Sequence, residues 1–154
     1  MTHLELTVDI DAPAEFVWNA ITDWPRQGEW MLGTKVEQTS PGPNAVGTTI
    51  AAFTGIWRIG FLDTMTVTTW QPPTVCDVLH TGRVVRGTGR FAVQATGPNT
   101  CIFRWEEDLV IPLGGIGKLG FALVKPFFLA GIRQSLNKFA RLTAQEFRDT
   151  STSN

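Results

Sequence analysis

The segment from Gly117 to Phe147 constrains the fold of this chain more than any other part of the sequence. Apolar residues recur there at steps of three and four, which predicts a long amphipathic helix with one face against a core. That stripe consists of Phe121, Val124, Phe128, Ile132, Leu136 and Phe139. The first half of the helix carries a second apolar face, formed by Leu119, Leu123, Phe127 and Leu129. A sheet, an apolar ligand, a partner chain or a membrane surface has to cover this second face.

Segments with the pattern of β-strands precede the helix. His3 to Ile10 alternates apolar and polar side chains, which is typical of a half-buried strand. Residues 34–111 contain about six further runs rich in β-branched and aromatic residues, separated by turns of Gly, Pro and Asn. One or two short helices follow the first strand, because Pro13 suits a first helical turn and Pro25 ends a helix. We therefore predict an α+β fold, a curved antiparallel sheet of about seven strands wrapped around the C-terminal helix.

Length and composition narrow the class of protein. A chain of 154 residues predicts one domain, over residues 1–149, with residues 150–154 as a frayed tail. Thirteen basic and fourteen acidic residues give a net charge of -1, so we expect no nucleic-acid partner. Residues 1–10 have no basic start and no continuous apolar run, which argues against a signal peptide and predicts a cytoplasmic protein.

The apolar stretch from Leu113 to Ile132 is long enough to suggest a membrane span. Two lysines, a proline and several glycines interrupt it, so we predict no transmembrane segment. A transient membrane contact stays open as an alternative, as do a monomer and a homodimer.

Three stretches carry a resemblance to a known family. They are the sequence from Asp11 to Trp18 after the first strand, the stretch from Trp24 to Trp30, and the run from Phe103 to Glu107 before the long helix. In these stretches and in the order of its elements, the chain resembles the helix-grip superfamily, which includes START lipid-transfer domains, the major birch pollen allergen and polyketide cyclase/dehydrase-like proteins. The resemblance implies a deep cavity between sheet and C-terminal helix that holds a hydrophobic or amphipathic small molecule, such as a lipid, a sterol or a polyketide-like compound.

Three ionisable side chains are predicted on the inward face of the sheet: Asp63, His80 and Glu107. Asp63 and Glu107 alternate in phase with the heavier apolar residues of their strands. In the strand from Val75 to Thr81 either face could point inward, and His80 forms one consistent set with Cys76 and Val78. On an apolar wall these groups would have shifted pKa values and could act as acid and base. The competing interpretation is structural, in which the carboxylates neutralise Arg58, Arg83 or Arg86 and His80 is a hydrogen-bonded structural residue or a surface group.

Large apolar side chains would supply the rest of a binding site. With the three ionisable residues, the predicted ligand-binding set contains Trp30, Phe53, Trp57, Phe61, Met65, Phe91, Trp105, Leu119, Leu123, Phe127 and Phe128. For the aromatic residues, plain core packing is the alternative, because a pocket wall and a core have the same sequence pattern.

Motifs of the common enzyme classes are missing. The chain has no G-x-S-x-G or H-E-x-x-H motif, and Cys76 and Cys101 lack metal-type spacing. We therefore expect no metal and no cofactor. The preferred hypothesis is a protein that binds a hydrophobic small molecule without changing it. The alternatives are an aromatic cyclase or dehydratase that uses Asp63, Glu107 or His80, and an interaction protein that uses the apolar helix face.

Overall fold

Residues 1–153 are described by a computed structural model, and they form seven β-strands, two α-helices and one 3-10 helix. The strands are β1 (Thr2–Ile10), β2 (Thr34–Gln38), β3 (Thr49–Ile56), β4 (Ile59–Gln71), β5 (Val75–His80), β6 (Gly87–Gly97) and β7 (Thr100–Leu109). The helices are α1 (Ala14–Ile21), the 3-10 helix (Trp24–Glu29) and α2 (Gly114–Thr152). This order confirms the predicted α+β architecture.

The strands form one curled antiparallel sheet in the order β1-β7-β6-β5-β4-β3-β2. Chain neighbours are also sheet neighbours from β2 to β7, and β1 joins at the β7 edge, where Thr2 pairs with Leu109. Bulges shift the register between Val67 and Thr69 and again between Ala95 and Gly97. Such irregularities increase the local twist of a strand, in keeping with the curl of the sheet.

The two short helices pack beside the sheet. In α1, Val17, Trp18 and Ile21 are buried, which follows from their spacing on one helical face. The 3-10 helix begins at Trp24, and Pro25 fits its first turn. It is tied to the end of α2 by an ion pair between Arg26 and Glu146.

The C-terminal half of α2 completes the core. Leu136 and Phe139 are fully buried, and the Phe139 ring lies 5.8 Å from Phe103 and 4.9 Å from Trp30. The helix continues to Thr152, so the frayed tail expected from residue 150 is wrong for residues 150–152, and Asn154 lies outside the described residues.

The N-terminal half of α2 is not part of that core. All buried residues of the helix lie from Ser135 onward. Within the predicted stripe, Phe121 and Ile132 are half-buried, but Val124 and Phe128 are exposed, so the stripe faces a core over only part of its length. The reason is that α2 packs mainly along β1 and α1, and its first turns extend beyond them.

Candidate functional site

Asp63, His80 and Glu107 form a continuous chain on the concave face of the sheet. Nδ1 of His80 lies 2.9 Å from Oδ2 of Asp63, and Nε2 of His80 lies 2.8 Å from Oε2 of Glu107. The side chain of His80 is 4 % exposed, and those of the two carboxylates are nearly as buried. The predicted inward placement of all three is therefore confirmed. Neither carboxylate pairs with an arginine within residues 1–153, so the expected pairing with Arg58, Arg83 or Arg86 is wrong.

Strand register explains how the three residues meet. Met65 of β4 pairs with His80 of β5, so Asp63, two residues before Met65, is on the same face one step along the strand. His80 pairs with Gly87 of β6, and Gly89 of β6 pairs with Glu107 of β7. Because β6 carries glycine at both positions, the His80 and Glu107 side chains can meet across it.

Gly89 makes room for the Glu107 carboxyl group. A Cβ atom at residue 89 would lie 2.8 Å from Oε1 of Glu107, closer than a carbon and an oxygen can approach. The role of this glycine in the structure is the close approach of a side chain.

The electrostatics of the chain are dominated by burial and by the two ion pairs. Burial alone would lower the pKa of His80, but the hydrogen bonds and charges of Asp63 and Glu107 outweigh it and raise the pKa to about 10. Burial raises the pKa of Glu107, and His80 opposes that shift only in part. At neutral pH His80 is therefore a cation, next to a carboxyl group that is less acidic than an ordinary glutamate.

A small apolar cavity of about 40 Å³ lies against Glu107. The lining residues are Trp24, Gln27, Val36, Ile50, Met65, Cys76, Val78, Gly89, Arg90, Phe91 and Glu107. Met65, Phe91 and Glu107 belong to the predicted set, whereas Asp63 and His80 lie behind Glu107 and do not reach the wall. Burial raises the pKa of the Cys76 thiol to about 12, so this group stays a neutral thiol.

The 3-10 helix, rather than α2, covers this cavity. Trp24 and Gln27 are buried and contribute to the wall, and the side-chain amide of Gln27 donates to the carbonyl of Ile21. Their role was missed from the sequence, because Trp24 resembles a core residue and Gln27 lies in a short segment without periodicity. No residue of α2 lines the cavity.

Beyond the cavity, the concave face is open. Phe61 and Ile59 alternate with Asp63 along β4 and therefore share its face, and both are exposed. The ring of Trp105 is buried and lies 6.3 Å from that of Phe128 of α2, which is exposed. Of the predicted set, Phe61 and Phe128 are therefore exposed, whereas Trp105 is buried between the sheet and α2.

The other predicted ligand-binding residues lie elsewhere. Trp30 is buried against Phe139 in the core, and its Nε1 has no hydrogen-bond partner within residues 1–153. Phe53 pairs with Leu62 and lies on the opposite face from Asp63. Trp57 is exposed at the β3–β4 turn, and the remaining three are exposed on α2: Leu119, Leu123 and Phe127.

Metal binding has no support in the geometry. Within residues 1–153, no group of three or more His, Cys, Asp or Glu side chains is arranged to hold a metal ion. Cys76 and Cys101 are free thiols, and both are buried.

Comparison with solved structures shows similarity over nearly the whole chain. The Zhui aromatase/cyclase from Streptomyces sp. R1128 has a TM-score of 0.76 at 16% identity, over 92% of this chain and 93% of that one. The di-domain ARO/CYC BexL has a TM-score of 0.71 at 16% identity, over 92% of this chain and 46% of that one. A START superfamily protein from Mycobacterium smegmatis has a TM-score of 0.66 at 12% identity, over 96% of this chain and 98% of that one.

These neighbours share the helix-grip fold, so the predicted fold is confirmed. At such low identities they show the fold alone. Comparison with curated protein sequences gives no match. The family model described as "Polyketide cyclase / dehydrase and lipid transport" matches residues 1–144. The chain therefore belongs to the polyketide cyclase/dehydrase and lipid transport family.

Proposed function

We propose that this protein binds an amphipathic small molecule on the concave face of the sheet, with the polar group of the ligand at Glu107. The observation that carries the proposal is a buried carboxyl group on a mostly apolar cavity wall, held there by His80 and Asp63. Burying three ionisable groups costs stability relative to apolar residues of the same size. Buried ionisable groups with shifted pKa values are typical of binding and catalytic sites.

The size of the cavity bears on where the ligand would lie. A volume of about 40 Å³ holds little more than a water molecule or two, whereas sites for small molecules usually measure roughly 300–1,000 Å³. The polar group alone would fit there. The apolar body would extend over the open end of the concave face, past Phe61 toward Phe128, because both rings are exposed.

The chemistry of Glu107 favours one class of polar group. A carboxyl group in an apolar surrounding accepts a hydrogen bond from a hydroxyl or an amine, and it repels a second carboxylate. We therefore expect long-chain alcohols, sterols or phenolic polycyclic compounds to bind better than fatty acids.

Ligand titrations followed by tryptophan fluorescence test this proposal, with hexadecanol and palmitate as a matched pair. We expect hexadecanol to bind at least about tenfold more tightly, which corresponds to ~1.4 kcal/mol. Glu107→Gln should reduce this preference, because it removes the repulsion of palmitate. Glu106→Gln is the matched control, since Glu106 is the neighbouring residue and faces the other side of β7. Failure of both ligands and of a sterol to bind would refute the proposal, and so would an unchanged preference in Glu107→Gln.

A second candidate function is an aromatic cyclase or dehydratase. The observation that favours it is the contact between a carboxyl group of raised pKa and a histidine that is cationic at neutral pH. In such a reaction Glu107 would take a proton from a methylene between two carbonyls, and the resulting carbon would attack a further carbonyl of the chain. The alkoxide formed would receive a proton, and loss of water would follow.

The positions of Asp63, His80 and Glu107 make catalysis the second candidate, after ligand binding. Only Glu107 reaches the cavity wall, so His80 would act through it. Incubation with a poly-β-ketone thioester, followed by mass spectrometry, tests the idea. A loss of product of about a hundredfold or more in Glu107→Gln, with binding retained, would support catalysis. Absence of product with the unchanged protein would exclude it for that substrate class.

A further inference from the structure

Three segments meet at one end of the sheet, and together we call them the tip surface: residues 53–62, 81–88 and 110–132. The β3–β4 turn lies between Ile56 and Ile59, which pair with each other. Thr81 donates to Thr64 of β4, and Gly87 at the start of β6 pairs with Leu109 at the end of β7. These contacts place the β3–β4 turn, the β5–β6 loop and the start of α2 at the same end of the fold.

The tip surface exposes more large apolar side chains than folding requires. They are Phe53, Ile56, Trp57, Ile59, Phe61, Leu62, Val84, Val110, Leu113, Ile116, Leu119, Leu123, Val124, Phe127 and Phe128. Most of the exposed large apolar side chains of the protein are in this set. One 18-residue window of α2 is long and apolar enough to cross a membrane, and none of it is buried. A contiguous apolar surface of this kind marks a contact site.

Among these residues, Trp57 gives the strongest indication of a contact outside the protein. It is 96% exposed, and its φ of 63° lies in the left-handed region that favours glycine. The two-residue turn between Ile56 and Ile59 requires this backbone conformation, but a glycine or asparagine would adopt it more readily than a tryptophan. A tryptophan at residue 57 is understandable if its indole ring is buried against a surface outside the protein.

The charge of the tip surface has a single sign. It carries Arg58, Arg83, Arg86, Lys118 and Lys125 and no aspartate or glutamate. Within residues 1–153, none of these five cations forms a salt bridge. The protein as a whole has a net charge of -1, so its carboxylates are concentrated elsewhere. The occupant of the tip surface should therefore be apolar and anionic at once.

We propose that the tip surface docks on an anionic lipid bilayer, with Trp57 and the exposed leucines in the interface and the five cations near the lipid phosphates. Exposed Trp, Leu and Phe beside unpaired Lys and Arg form the combination that binds at such an interface. A second copy of the chain fits less well, because two tip surfaces would bring ten cations together without a counter-charge. The docking is interfacial, since Leu136 and Phe139 hold the C-terminal half of α2 in the core.

This inference does not depend on the ligand site. It places the open concave end of the sheet toward the bilayer, where an amphipathic ligand could be taken up. The two proposals can fail separately, because Glu107 lies outside the tip surface.

Sedimentation of the full chain with lipid vesicles tests the docking. The probes are vesicles of phosphatidylcholine alone and of an equimolar mixture of phosphatidylcholine and phosphatidylserine. We expect at least about tenfold tighter binding to the anionic vesicles, because each cation near such a surface contributes ~1 kcal/mol. Added salt should weaken the binding, since it screens these charges.

Two sets of variants, each with a control, separate docking from a general effect of composition. Trp57→Ser and Leu123→Ser should each weaken vesicle binding severalfold. Val46→Ser should not, because Val46 is an exposed residue just before β3 begins, at the end of that strand away from the tip surface. Arg83→Glu should remove the preference for anionic vesicles, whereas Lys138→Glu, an exposed lysine outside the tip surface, should leave it unchanged. All these side chains are exposed, so circular dichroism melting curves should coincide within a few degrees.

Three results would overturn the proposal. The first is equal or no binding to the two kinds of vesicle. The second is a dimer by light scattering that Leu123→Ser dissociates, in the absence of vesicle binding, which would assign the surface to a second copy. The third is vesicle-bound protein that resists extraction by alkaline carbonate, which would indicate insertion across the bilayer.

Discussion

Nε2 of His80 lies 2.8 Å from Oε2 of Glu107, and this contact joins a buried ion-pair chain to the wall of an apolar cavity. Because the histidine is held from its other side by Asp63, the Glu107 carboxyl group has a fixed position. Burial raises the pKa of this carboxyl group, and the contact with His80 opposes the shift only in part. Four predictions about stability and one about ligand position follow from this geometry and from the two unlike halves of α2.

The stability of the protein should fall as the pH rises from about 6.5 to about 10. His80 has a pKa of about 10 in the folded state, against an ordinary value of 6.5. A raised pKa stabilises the fold below the unfolded value, and this contribution is lost as the pH approaches the folded value. Urea denaturation across this range should show the loss. His80→Gln should flatten the profile, and a profile with the same slope in both proteins would contradict the assignment.

Asp63→Asn should destabilise the protein by about 1–3 kcal/mol, because it weakens a buried hydrogen bond to a charged partner. Asp77→Asn is the matched control, since Asp77 pairs with Arg90 across two strands at a more exposed position. We expect the control to cost less than ~1 kcal/mol, as exposed ion pairs do. Free energies of unfolding at neutral pH give both values. Equal costs would mean that the His80 chain contributes no more than a surface pair.

Gly89→Ala should destabilise the protein by about 1–3 kcal/mol, because the new methyl group overlaps the Glu107 carboxyl group. The same variant should impair ligand binding, since Glu107 is displaced. Gly120→Ala provides the control: a Cβ atom there meets nothing within 4 Å, and the residue lies inside α2. An alanine at this helical position should stabilise by roughly 0.5–1 kcal/mol. Thermal melting distinguishes the two, and unchanged stability in Gly89→Ala would show that Glu107 can move away freely.

The two halves of α2 should respond differently to the same substitution. Phe139→Ala should cost about 3–5 kcal/mol, because it opens a cavity between Trp30 and Phe103. Phe127→Ala should change the free energy of unfolding by less than ~0.5 kcal/mol, because its ring is 78% exposed. Chemical denaturation of the two variants makes the comparison. A large loss in Phe127→Ala would indicate that this face is covered within the folded chain.

Strand alternation allowed much of this structure to be predicted from the sequence. The phase of β4 and β7 placed Asp63 and Glu107 inward, because a side chain in a strand has only two faces to choose from. For β5 the pattern left both faces open, with His80 on one of them. The contacts of these three side chains with one another could not be predicted in the same way. They depend on how β5 is aligned with β4 and β6, and on glycine at residues 87 and 89, which lets side chains meet across β6.

The cover of the cavity was harder to predict. A long apolar helix suggested that α2 would line the cavity, but its first half lies outside it. The cover is Trp24 and Gln27, in a short 3-10 helix with no hydrophobic periodicity to indicate a buried face. For α2, the sequence pattern revealed the surplus apolar face of Leu119, Leu123 and Phe127. It could not indicate what covers that face, because periodicity carries no information about partners.

A two-dimensional ¹H–¹⁵N NMR titration with hexadecanol tests the ligand-binding proposal most directly. The account predicts that the largest shifts occur at Met65, Val78, Phe91 and Glu107, with smaller shifts at Phe61 near the open end of the concave face. Glu107→Gln should reduce them. Shifts confined to Trp57, Leu119 and Leu123 would assign the apolar compound to the tip surface instead, and together with an unaffected cavity they would contradict a ligand site at Glu107.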